Sequence, residues 1–186
     1  MLGMFSEPAA NVAQLLLQPN ETVADLGAGS GAYTIECAKS LKGTGRVYAI
    51  EIQKDLLTRI QNSAKDAHLG NVAVIWGHLE KRGGTKLTDN MVDVAILSNV
   101  LFQTEDKDTV LEETRRILRP GGRLLFIDWI ASFGNLGPHA DQVFPEDAAR
   151  KLLEKHGFLF DKAINAGSYH YGLICRKGGP SFNTVR

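Results

Sequence analysis

Cysteine is scarce in this chain of 186 residues: Cys37 and Cys175 stand far apart, with no CxxC or His–Cys spacing. That argues against a disulfide framework and a zinc site, and no metal is expected. Long apolar runs are also missing, none approaching the roughly 18 residues of a membrane span. The opening MLGMFSEPAANVAQLLLQPN has neither a basic n-region nor a cleavage site, so a soluble, unprocessed, cytoplasmic chain is expected. Excess charge of either sign is absent: 21 Lys and Arg balance 21 Asp and Glu. This speaks against bulk nucleic-acid binding and for a small partner. There is no internal repeat and no low-complexity segment. What is present, 44% hydrophobic and 23% charged residues, suits one globular domain of roughly 100–200 residues.

Apolar strands and amphipathic helices alternate along most of the chain, the grammar of an α/β fold. Residues 1–20 are expected to form a helical segment (Pro8 to Leu17, with Pro8 suited to a first turn), 21–176 one domain, and 177–186 a frayed tail. Strands are expected at Glu21–Leu26, Arg46–Glu51, Val72–Trp76, Val92–Leu97 and Arg123–Ile127, and helices at Gly31–Leu41, Lys54–Ala67 and Asp106–Leu118. The third of these helices is stopped by the turn Arg119-Pro120-Gly121-Gly122. The last third holds a loop from Ala131 to Pro138, a helix near Pro145–His156 and two strands, Phe158–Ile164 and Tyr169–Arg176. Asn165-Ala166-Gly167-Ser168 makes those strands an antiparallel hairpin.

The most informative stretch is VADLGAGSGA, Val23 to Ala32, where an apolar strand breaks into alternating glycines before a helix. Such a loop gathers backbone N–H groups and the positive end of a helix at one point. Glycine is needed there where φ is positive or where a side chain would strike a cofactor. Glu51 ends the next strand, placed to accept hydrogen bonds from both hydroxyls of a ribose. These features alone fit a nicotinamide dinucleotide as well, because GAGSGA also satisfies GxGxxA.

Together with the fourth strand and the RPGG turn, the loop and Glu51 make residues 20–130 similar to the class I S-adenosylmethionine-dependent methyltransferases, nearest the ubiquinone/menaquinone-biosynthesis branch. The resemblance implies a three-layer Rossmann-like sandwich with a mostly parallel seven-stranded sheet and an antiparallel C-terminal hairpin strand. It also implies S-adenosylmethionine as cofactor. VADLGAGSG resembles the first motif, with Asp25, Gly27, Ala28, Gly29 and Gly31 beside the methionine part. VYAIEI resembles the second, with Glu51 on the ribose and Ile52 against the adenine. DVAILSNVLFQ resembles the fourth-strand motif, whose backbone near Ser98–Asn99 borders the methionine amino group. One departure stands out: the family commonly follows its third strand with Gly-Asp, the aspartate bonding the adenine amino group, whereas this chain has Gly77-His78-Leu79-Glu80. Either His78 and the Leu79 backbone read the adenine, or the cofactor is held more weakly than is usual in the family.

Methyl transfer from a sulfonium is an in-line displacement on an activated carbon, so positioning can supply much of the acceleration and a base is optional. Candidates for a base are Asp128, at the end of the fifth strand, His139 in the following loop, and His170. Each also has a plainer reading: Asp128 caps a turn, His139 is solvated, and His170 packs in an edge hairpin. The acceptor is expected to be a small or lipid-like molecule, with a protein side chain as the other option. Two further functions stay open, a non-catalytic cofactor-binding subunit and an NAD-dependent oxidoreductase.

Overall fold

The computed structural model describes residues 6–134 and 136–179. The first residues of the expected N-terminal segment, 1–5, and residues 180–186 of the expected tail lie outside them. Seven strands form one sheet: β1 (Thr22–Leu26), β2 (Arg46–Glu51), β3 (Val72–Trp76), β4 (Val92–Ser98), β5 (Leu118–Trp129), β6 (Phe158–Ile164) and β7 (His170–Lys177), in the order β3-β2-β1-β4-β5-β7-β6. The pairings β1 with β2 and β4, β2 with β3, and β4 with β5 are parallel. β7 runs antiparallel to both of its neighbours, β5 and β6.

The helices are α1 (Pro8–Leu15), α2 (Ala32–Ser40), α3 (Lys54–Asp66), α4 (Lys107–Ile117) and α5 (Glu146–Lys155). Because successive strand residues face opposite sides, the sheet builds two cores. Val23, Val94, Ile96, Leu125 and Ile127 pack with α1 and α2 residues such as Val12, Leu15 and Cys37. Ala24, Leu97, Leu124 and Phe126 pack with Val110, Leu111 and Ile117 of α4 and Ala149 and Leu153 of α5. The result is the expected three-layer sandwich. Helix α3 follows its apolar spacing, with Leu57, Ile60 and Ala64 buried, and α4 starts where the Asp106 carboxylate accepts the Thr109 N–H.

One expectation changes. The RPGG stretch is not a turn between separate elements but a bulge within β5: Leu118 pairs with Val92 and Arg123 with Val94. Gly121 takes φ +71°, and Arg119 is held to Asp93 at 2.7 Å, so the chain makes its detour without leaving the sheet. The terminal hairpin closes one side of the sheet, as expected. β7 inserts between β5 and β6, and the edge falls to β6, whose residues from Leu159 to Ala163 are exposed. A short 3-10 turn, Leu101–Gln103, follows β4; its three residues are too few for a periodic signal.

The strand order reverses about β1, which pairs β2 on one side and β4 on the other, so a crevice opens at the carboxyl ends of these strands. Gly31 at the head of α2 shows how tightly it is built. Its φ is +84°, and a Cβ there would stand 2.6 Å from Ile60 Cγ1 of α3. Gly31→Ala is therefore expected to cost about 1–3 kcal/mol through backbone strain and overpacking. Guanidinium denaturation measures this, and a loss below about 0.5 kcal/mol would mean that α3 yields freely.

Candidate functional site

The crevice holds a cavity of about 540 Å³, lined among others by Asp25, Gly27, Ala28, Gly29, Glu51, Ile52, His78, Leu79 and Ser98. The volume lies within the roughly 300–1,000 Å³ usual for ligand pockets. Nine of the ten residues singled out for the cofactor thus meet in one place, although they come from four strand ends. The tenth, Gly31, packs against Ile60 and does not line this cavity. Ala32 is simply the first residue of α2.

The glycine loop is stitched to the end of β2. The N–H groups of Gly27 and Ala28 both donate to Ile50 O, at 2.9 and 3.0 Å. The Gly29 N–H donates to Glu51 Oε2 at 2.9 Å, while Glu51 Oε1 accepts from Ile52 N and Gln53 N. Glu51 is only 7% exposed, yet Oε2, with one protein donor, keeps a lone pair for another. Gly29 has φ +53°, and a Cβ there would find no protein atom nearer than 4.0 Å, so a side chain would occupy cavity space. At Gly27 the wall is closer, a Cβ standing 2.9 Å from Val100 Cγ2.

Asp25 points to the α2 side of β1 and accepts the Thr34 hydroxyl at 2.6 Å. Burial raises its pKa to about 6 against that hydrogen bond. On the β3 side the Glu80 N–H donates to His78 Nδ1 at 3.2 Å. In its neutral form His78 therefore carries its proton on Nε2 and presents a donor, where an aspartate would present an acceptor. On the β4 side Asn99 has φ +57°, its backbone carbonyl accepts from Gln103 Nε2, and its buried Oδ1 has no partner among the described residues.

Sequence spacing did not mark the other wall. Asn11 Nδ2 donates to both Ser6 Oγ and Tyr33 Oη at 2.8 Å, and the two hydroxyls lie 3.0 Å apart. Ser6 and Tyr33 line the cavity. A polar trio contributed by two separate segments has no one-dimensional signature.

None of the three candidate bases lines the cavity. Asp128 is fully buried, its oxygens taking the N–H groups of Phe102 (3.1 Å) and Trp129 (2.9 Å); it anchors the 3-10 turn after β4, its plainer reading. Burial pushes its pKa up to about 7 against those two bonds. His170 is 7% exposed, stacked on Trp129 with centroids 4.2 Å apart, and burial lowers its pKa. His139 is exposed, its N–H on Gln142 Oε1. Among the described residues no group of three His, Cys, Asp or Glu side chains is arranged to hold a metal, and no helix is long and apolar enough to cross a membrane.

A doubly wound sheet with a glycine-lined crevice and a carboxylate at the end of β2 defines a Rossmann-like, nucleoside-binding class of fold. The family model described as "Methyltransferase domain" matches residues 17–161. An arsenite methyltransferase of Aquipseudomonas alcaligenes is 33% identical over 111 residues, 57% of this chain and 32% of that protein. A ubiquinone/menaquinone biosynthesis C-methyltransferase of Vibrio campbellii is 30% identical over 155 residues, 83% of this chain and 56% of that protein. The crystal structure of a SAM-dependent methyltransferase from Aquifex aeolicus superposes with a TM-score of 0.83 at 26% identity, covering 93% of this chain and 90% of that one. The chain belongs to the class I S-adenosylmethionine-dependent methyltransferases, and S-adenosylmethionine is the cofactor that membership brings. It spans only about a third to just over half of the two curated relatives. None of these relatives is an oxidoreductase or a non-catalytic subunit.

Two buried acids with raised pKa values make folding pH-dependent. The folded state holds the Asp25 and Asp128 protons more tightly than the unfolded chain, in which an aspartate carboxyl has its ordinary pKa of 3.8. Stability is thus greatest below about pH 4 for these two groups and declines as pH rises through 6 to 7. With each pKa unit worth about 1.4 kcal/mol, a decline of several kcal/mol between pH 4 and pH 7.5 is expected in urea denaturation of the unliganded protein. Asp128→Asn should flatten it; an unchanged slope would show that Asp128 is not a titrating group.

Proposed function

We propose that this chain transfers the sulfonium methyl of S-adenosylmethionine to a small-molecule nucleophile that needs no deprotonation by the protein. The observation that carries the reading is the meeting of Glu51, the open face of Gly29 and the ends of β1, β2 and β4 around one cavity of fitting volume. Bound there, the cofactor supplies an electrophilic methyl carbon. Glu51 Oε2 holds the ribose with its remaining lone pair, Ile52 covers one face of the adenine, and His78 with the Leu79 backbone meets the adenine edge. The loop from Asp25 to Gly29 and the backbone at Ser98 hold the amino-acid end.

Each ionisable side chain that lines the cavity already has a hydrogen-bond partner. Asp25 is tied to Thr34, Glu51 to three N–H groups, His78 to Glu80 N, Glu80 to Asp106 N, and the Tyr33 hydroxyl to Ser6 and Asn11. This supports acceleration by alignment of nucleophile and methyl carbon, worth up to several kcal/mol without a base. Both cysteines are buried and neither lines the cavity, so the cavity offers no thiol to a soft, arsenite-like acceptor. An amine nitrogen or an already ionised thiol of a small organic molecule fits better.

Calorimetry tests the reading. S-adenosylmethionine and S-adenosylhomocysteine are expected to bind and to raise Tm, whereas NAD is not; stabilisation by NAD alone would sink it. Glu51→Ala should weaken cofactor binding by about 1–3 kcal/mol, roughly 5–150-fold in Kd, through loss of charge-assisted hydrogen bonds. A folded variant with the wild-type Kd would remove Glu51 from the ribose.

A further inference from the structure

The loop from Gly77 to Met91 brings His78, Leu79 and Glu80 to the cavity, yet contains no helix or strand of its own. Something outside it must set its shape. The anchor is Glu113 of α4, 2% exposed and absent from the cavity wall. Its Oε2 accepts the Gly83 N–H and Arg116 Nε, each at 2.8 Å. Its Oε1 accepts the Thr85 N–H at 3.1 Å, the Thr85 hydroxyl at 2.6 Å and Arg116 Nη2 at 2.7 Å. Burial by itself raises the carboxyl's pKa, but these bonds outweigh it and hold the group at about 2.

Between the two anchored residues lies Gly84, and it leads straight back to the cavity. Gly84 O accepts the His78 N–H at 3.1 Å, and Gly84 N donates to Lys81 O at 2.8 Å. The packing leaves no slack: a Cβ on Gly84 would fall 1.9 Å from His78 O, and one on Gly77 would fall 2.6 Å from Gly84 O. Any shift of Gly83 to Thr85 therefore carries the His78–Leu79 backbone with it. Helix α4 grips the loop a second time where the Asp106 N–H donates to Glu80 Oε2 at 2.8 Å. The two grips are seven residues apart, roughly 10 Å along the helix axis.

We propose that Glu113 is a positioning residue for purine recognition, setting the His78–Leu79 edge that tells adenine from a purine lacking the 6-amino group. The inference rests on the cofactor reading above. It gives a physical role to the loop at the point where this chain lacks the aspartate common in its family: N–H donors on this edge pair with N1 of adenine, which accepts, and not with N1 of the 6-oxo base, which carries a proton, and they discriminate only if they are held still, as the bidentate Arg116–Glu113 pair with the Thr85 bonds holds them.

The test is calorimetric binding of S-adenosylhomocysteine and of S-inosylhomocysteine, its 6-oxo analogue, to the wild type, Glu113→Gln and Ile117→Val. The last variant thins the core under α4 and removes none of the bonds that Glu113 makes. The wild type should prefer the adenine ligand. Glu113→Gln should lose about tenfold on that ligand and little on the 6-oxo analogue, narrowing the preference, while Ile117→Val lowers Tm and leaves the ratio unmoved. If Glu113→Gln does not fold, Thr85→Val, which removes one hydroxyl donor, is read in the same way with a smaller narrowing. A wild-type ratio in folded Glu113→Gln or, where that variant does not fold, in Thr85→Val, or a wild type indifferent to the base, overturns the proposal alone. A wild type that binds neither ligand overturns the cofactor reading and the proposal with it.

Discussion

The site depends on one carboxylate. Glu51 ends β2, and by accepting N–H groups from Gly29, Ile52 and Gln53 it ties the turn after β1 to the turn after β2. Without that tie the glycine loop would hang on two bonds to Ile50 O, and its positive φ values would carry entropy with little to hold them. A buried carboxylate is costly unless its lone pairs are met. Backbone N–H groups meet most of them and leave one position facing the cavity, so the group that stiffens the loop is also the one left to bind.

The same economy recurs away from the cavity. Asp25 is met by Thr34, Asp128 by two backbone N–H groups, and Glu113 by Arg116, Thr85 and Gly83. Each sits where a strand end or helix meets an irregular segment: the head of α2, the 3-10 turn after β4, the loop after β3. Regular elements satisfy their own backbone; these segments cannot, and a buried acceptor supplies what the ladder does not. The cost differs with the partner. Guanidinium and several donors keep Glu113 charged, with its pKa at about 2, whereas Asp25 and Asp128 lack a cationic partner in hydrogen-bond contact and rise to about 6 and 7.

Periodicity read the fold well because one-sided burial imposes it. The bounds of β2 and β3 are those expected, and α2 and α3 differ by a residue at their ends. The correction at RPGG and the order of strands within the terminal hairpin both concern strand neighbours. Whether RPGG ends a strand or bulges within it depends on Val92 and Val94 across the ladder. Whether β7 is an edge depends on which side of β6 meets β5. Local sequence carries no record of a neighbour brought in from far along the chain.

The division at the site has the same cause. The sequence by itself determined the glycine loop, the acid at the end of β2 and the histidine after β3, because each is a residue type demanded locally by φ, by strand-end geometry or by its place in a motif. Only the tertiary structure decided which of them face one cavity, turning Gly31 to Ile60, burying Asp128 and His170, and joining Ser6 and Asn11 to Tyr33. A side chain's direction is settled by what packs against it, and for this chain the packing partners come from elements that share no stretch of sequence.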